Sequence, residues 1–182
     1  MKKTNFYILA AIFFLLSACG YRNAYVASSN SKPISVNRSL WANNTGEIGL
    51  ETIMYQSVSR WLRKSSLIHL VDDPNKADYK LTGKLVSVDF PEISYGRYRV
   101  ATELRANLRV DIAIIDTATD KKIWEKNNYI FTETLDTSGD PMQLQANKKA
   151  ALKKITNDIG EMIYLRFINN IMRPQEEQQS PK

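Results

Sequence analysis

The feature that most constrains this chain is an alternation of residue type sustained over residues 98–114. Tyr98, Val100, Thr102, Leu104, Ala106, Leu108, Val110, Ile112 and Ile114 hold the even positions, while Arg99, Glu103, Arg105, Asn107, Arg109 and Asp111 stand at odd ones. Successive side chains point to opposite sides of a strand, so the pattern predicts one long strand with a dry face and a wet face. A face open to water belongs to an antiparallel or mixed sheet, since purely parallel sheets are covered on both sides. Asp116-Thr117-Ala118-Thr119-Asp120-Lys121 then reads as a polar hairpin turn, and residues 123–135, rich in aromatic and β-branched side chains, as the returning strand.

A dry sheet face needs a covering layer, and two amphipathic segments can supply it. Asn44 followed by Glu47 resembles a capping box and predicts a helix from there to about Lys64, with Leu50, Ile53, Met54, Val58 and Trp61 on one side. Asp140-Pro141-Met142-Gln143 places an acid at a helix N-cap and Pro at the first helical position. The long helix it starts carries a stripe of Leu144, Ala151, Leu152, Ile155, Ile159, Met162 and Ile163. Beyond Arg166, Phe167, Ile168 and Ile171 point in several directions, which makes them candidates for contact with a partner.

Ile34, Val36 and Leu40 alternate with polar residues and predict a first strand. Residues 67–71 form a short apolar run containing His69, and Asp72-Asp73-Pro74-Asn75 reverses the chain. From Tyr79 to Phe90 the apolar positions pass from odd to even, as a bulge would require, with Gly83 near enough to permit it. The element order predicts an α+β domain over residues 33–173, with two helices packed on one face of a roughly four-stranded antiparallel or mixed sheet. Residues 174–182 are rich in Gln and Glu and are expected to form a disordered tail.

The start of the chain points to export. Lys2 and Lys3 precede an apolar stretch over residues 6–16, too short to be a good membrane span, and small residues follow. Leu16-Ser17-Ala18-Cys19 resembles a lipobox, so residues 1–18 are expected to be removed as a lipoprotein signal peptide, leaving acyl chains on Cys19. Residues 19–32 would be the tether, and Gly20, in place of Asp, favours the outer membrane, with the module on its periplasmic side. Cys19 is the single cysteine, which excludes an intramolecular disulfide. The mature chain keeps 23 basic and 19 acidic residues, interleaved rather than concentrated into the basic patch expected of a nucleic-acid binder.

No arrangement of residues suggests catalysis. His69 is the sole histidine and has no His or Cys partner, which removes most zinc sites and Ser-His pairs. Gly46 and Gly49 lack the Lys-Ser/Thr ending of a phosphate loop. Asp72-Asp73 and Asp116 with Asp120 are more simply turn residues. No metal or cofactor is expected. Arg97, Arg99, Arg105 and Arg109 project from one sheet face, with Lys121 and Lys122 at the hairpin end. Two readings stay open: a solvated face balanced by Glu103 and Asp111, or a docking surface for an anionic head group or a polar protein wall.

Several motifs in order resemble the LptE family of lipopolysaccharide-assembly lipoproteins. They are Cys19-Gly20-Tyr21, Ile34-Ser35-Val36, Asn44-Thr45-Gly46-Glu47 with Gly49-Leu50-Glu51, Ala77-Asp78-Tyr79-Lys80-Leu81-Thr82-Gly83, Ser94-Tyr95, Ile115-Asp116, Lys122-Ile123-Trp124-Glu125 and Ala150-Ala151. The resemblance implies a non-enzymatic lipoprotein that plugs and helps assemble the outer-membrane β-barrel LptD and binds lipopolysaccharide. No binding residue is carried over from the family; the candidates for head-group contact are Arg97, Arg99, Lys121 and Lys122, chosen for their place near or beyond strand ends. The alternative is a lipoprotein adaptor of another secretion or cell-wall complex.

Overall fold

The computed structural model describes residues 32–96, 101–137 and 140–172, with the side chains of Ala101 and Met172 left out. The expected signal peptide, Cys19, residues 97–100 and the expected tail lie outside the described residues. The predicted long strand is β6, Ala101–Asp116, and its return is β7, Lys121–Asp136. They form an antiparallel hairpin from Asp116↔Lys121 to Glu103↔Asp136. The turn is held by Asp116, whose Oδ1 accepts from the Thr119 amide at 2.9 Å and its hydroxyl at 3.0 Å.

Leu104, Ala106, Leu108, Val110, Ile112 and Ile114 are all buried, as the alternation requires. Burying each of the larger side chains contributes about 1.5–3 kcal/mol. On the other edge of β6 lie, in succession, β4 (Tyr79–Asp89) and β5 (Glu92–Tyr95), both antiparallel to it. β4 pairs in parallel with β1 (Ile34–Arg38) and with the two-residue β2 (Ala42–Asn43). β1 pairs in parallel with β3 (Ile68–Val71). The sheet is therefore mixed and has seven strands, more than the four expected. The surplus is β2, β3 and β5, of two, four and four residues, each too short to set a period by itself.

Two helices cover the even side of β6: α1, Leu50–Leu62, and α2, Pro141–Arg166. α2 starts where expected, with Asp140 Oδ1 accepting from the Gln143 amide at 2.8 Å. α1 starts later than the capping-box reading placed it, after Gly49 at φ 84°. Asn43 rather than Asn44 organises that loop: its Oδ1 accepts from the Thr45 amide, and its Nδ2 donates to Glu47 O and to Glu51 Oε2. The helices run parallel, since Ser57 meets Thr156 at 3.3 Å and, one turn on, Trp61 Nε1 donates to Asn157 Oδ1 at 3.0 Å. Gly160 permits this approach, because a Cβ there would lie 2.8 Å from Trp61 Cδ1.

Three expectations change. Leu40 is 60 % exposed because β1 ends at Arg38, and Trp41 enters the core in its place. Phe167 and Ile171 face inward instead of meeting a partner. Phe167 continues the stripe of Ile159 and Ile163 and meets the Tyr79 ring at a 6.2 Å centroid distance, as the helix loosens into a π-turn over Phe167–Met172. The bulge in β4 is present, with the register shifting between Leu85 and Ser87, but Gly83 serves another purpose. The indole of Trp41 lies on its backbone, where any Cβ would overlap the ring.

Asp78 joins β1 to the start of β4. Its carboxylate accepts from both the Ser35 amide and the Ser35 hydroxyl at 2.7 Å. These bonds, the amide first, hold the Asp78 carboxyl below its usual value of 3.8. Gly83→Ala should destabilise the protein by about 1–3 kcal/mol through overpacking against Trp41, seen as a lower urea midpoint. Asp78→Asn should lower stability at neutral pH. A depressed carboxyl stabilises above its unfolded pKa and loses that effect as pH falls through its folded value, so the gap from wild type should close below pH 3.8. Urea midpoints at pH 7 and pH 3 measure both arms, and a gap independent of pH would contradict the second.

Candidate functional site

The helices hide one side of the sheet and leave the other to solvent, so the odd positions of β6 form the centre of an open polar face. Register places Lys80, Thr82 and Lys84 of β4 beside Ile115, Ala113 and Asp111 of β6. Beyond the bulge, Ser87 and Asp89 sit beside Arg109 and Asn107. On the β7 side, Thr134 and Ile130 sit beside Arg105 and Arg109. Lys80 and Lys84 escape a sequence reading, because only the register across β4 puts them on the same face as the arginines of β6.

Two acids of this face, Asp89 and Asp111, are engaged by neutral donors. Asn107 Nδ2 donates to Asp89 Oδ2 at 2.8 Å, and the Asn128 amide donates to Asp111 Oδ1 at 2.8 Å. Asn128 has φ 57° and stands in a bulge where two residues of β7 oppose Asp111. Lys80, Lys84, Arg105 and Arg109 form no ion pair with any described residue. Their charged ends are available to an anion or to water.

The sequence-predicted site residues fall into two groups. Lys121 and Lys122 are exposed at the hairpin end, opposite Asp116 and Ile115. Lys122 Nζ donates to Glu125 Oε2 at 2.8 Å, which holds the Glu125 carboxyl below its ordinary value. Arg97 and Arg99 lie outside the described residues and precede Ala101, the first residue of β6. The length of β6, about 50 Å at the usual rise per residue, separates Ala101 from the hairpin lysines. The two lysines therefore do not share one small site with the start of that strand.

Among the described residues no three His, Cys, Asp or Glu side chains converge as a metal site, and no helix is long and apolar enough to cross a membrane. His69 stands exposed on β3, at the sheet edge, beside Ser35.

A search of curated proteins returns no match. Among solved structures the chain is similar to protein XCC0632 from Xanthomonas campestris, with a TM-score of 0.51 at 15 % identity, over 87 % of this chain and 93 % of that one. It is also similar to lipoprotein B from Nitrosomonas europaea, with a TM-score of 0.51 at 13 % identity, over 75 % and 84 % of the two chains. At such identities these likenesses speak to the fold alone. The model of the LptE family, described as lipopolysaccharide-assembly, matches residues 35–167, from β1 into the last turn of the helical layer. This chain belongs to the LptE lipopolysaccharide-assembly family.

Proposed function

We propose that the protein is a non-enzymatic lipoprotein of the outer membrane, anchored through Cys19, that seats inside the LptD-type β-barrel and assists the insertion of lipopolysaccharide at the cell surface. The observation that carries this reading is the family match over residues 35–167. The open sheet face supports it, because the lumen of such a barrel is polar and accepts a surface of Lys, Arg, Thr and Asn side chains. The lipobox-like sequence ending at Cys19 supplies an attachment to the membrane that holds the barrel. The tether joins the fold at Ile34, which lies at the hairpin end, since Val36 pairs with Tyr79 and Tyr79 with Asp116.

For the head group we propose contact by Arg97 and Arg99 at one end of β6 and by Lys121 and Lys122 at the other. Each pair would grip phosphate through charge-assisted hydrogen bonds. Replacing all four with Ala should weaken lipopolysaccharide binding without altering the thermal melt, and the two double variants apportion the loss between the ends. Unchanged binding in the fourfold variant would remove these residues from the site. For the partner, the solubilised full-length protein should bring down a large β-barrel in near-equal amount. Recovery of a secretion ring or of peptidoglycan instead would overturn the plug reading.

A further inference from the structure

Where α1 begins, the two helices do not close on one another. A groove of about 330 Å³ opens between the first turn of α1 and the third turn of α2. Its floor is apolar, formed by Leu50 and Ile53 of α1 with Ala150 and Leu152 of α2. Lys149 and Lys153 stand on its rim one helical turn apart, close enough for both ammonium groups to reach one phosphate. Neither forms an ion pair with a described residue, and Glu47 is the one acid that lines the groove. The rim therefore keeps a net positive charge.

The same end of the helical layer presents the two most exposed large apolar side chains among the described residues. Ile48, on the groove wall, is 102 % exposed and Met142 is 81 % exposed. Met142 lies two turns before Lys149 on one helical face, so the apolar strip continues past the groove for about 10 Å. An apolar trough with a cationic rim complements an amphiphile that joins a hydrocarbon chain to a phosphate.

We propose that this groove takes one acyl chain of lipopolysaccharide, laid on Ile48, Ile53 and Ala150, while Lys149 and Lys153 hold a phosphate of the same molecule. The inference rests on the lipopolysaccharide-assembly reading and gives it a site away from the sheet. The protein's own anchor is a poor occupant. Its tether joins the fold at the hairpin end, whereas α2 starts beyond the opposite end of β7. The groove lies level with Ala106, since Lys154 donates to Glu133 and Glu133 pairs with Ala106, about 33 Å of β6 from Asp116, whereas a flexible tether of fourteen residues spans about 20 Å on average.

The test uses the lipidated mature protein in detergent micelles, read by displacement of a fluorescent lipopolysaccharide, with phosphatidylglycerol as a competing phospholipid. Ala150→Trp fills the groove from an exposed position, and Lys149→Glu with Lys153→Glu reverses the rim. Each should weaken lipopolysaccharide binding about tenfold with an unchanged circular dichroism spectrum. Phosphatidylglycerol should displace poorly. Wild-type binding that persists in both variants would overturn the groove alone, whereas a wild type that binds no lipopolysaccharide would overturn the functional reading beneath it. Equal displacement by phosphatidylglycerol would overturn the choice of lipid. Stronger binding once Cys19→Ala removes the anchor would show that the anchor occupies the groove, and would overturn the proposal too.

Discussion

Everything in this molecule is placed by the two-sidedness of β6. Its even side chains from Leu104 to Ile114 are fully or nearly fully buried and the odd ones between them face the other side, so a covering helix has one side of the sheet on which to lie. Both edges of the strand are hydrogen-bonded, to β4 and β5 on one side and to β7 on the other. β1, α1 and β3 then form a parallel unit beyond β4, because two adjacent parallel strands need a crossover and the helix supplies it. α2 must return across the same dry side, where it meets α1 in parallel and joins one continuous core.

Arg38 shows what happens where the dry side runs out. It follows Ile34 and Val36 in phase, so its side chain enters beneath α1 and is only 8 % exposed. A lone guanidinium there would be costly. Its Nε donates to Ser59 Oγ at 2.7 Å, the Tyr55 ring lies 4.7 Å below it, and Asp72 stands 3.7 Å from one terminal nitrogen. Asp72 is almost fully exposed, so the ion pair contributes little beside the hydroxyl and ring contacts. The result ties β1, α1 and the turn after β3 together at one point.

Legibility followed the length of each periodic signal. β6 repeats its period often enough to be read directly, and Asp140-Pro141 marks a helix start by local chemistry that tertiary contacts had no reason to override. β2 has two residues and β5 four, so each owes its existence to an edge offered by its neighbours. Phe167 and Ile171 were misread for a different reason. Phe167 follows Ile163, and Ile171 follows Phe167, at the four-residue spacing of the buried stripe of α2, a continuation that the neighbouring Arg166 and Ile168 obscured. The same limit applied to the site: Arg105 and Arg109 were legible from alternation, whereas Lys80 and Lys84 depended on a register across β4. The groove was invisible to sequence because it lies between two helices whose relative direction no single segment encodes.

The open face argues for contact at short range rather than attraction at a distance. Lys80, Lys84, Arg105 and Arg109 are interspersed with Asp89, Glu103 and Asp111 across neighbouring strands. Strands stand roughly 5 Å apart, less than the Debye length of about 8 Å at physiological salt, so opposite charges largely cancel beyond the first layer of water. What survives is a pattern of directed donors, since Asp89 and Asp111 are engaged by amides and the cations are not. Such a surface discriminates by where its donors point. That suits a polar wall or a phosphate held against the sheet, and makes shape the first filter on what can seat there.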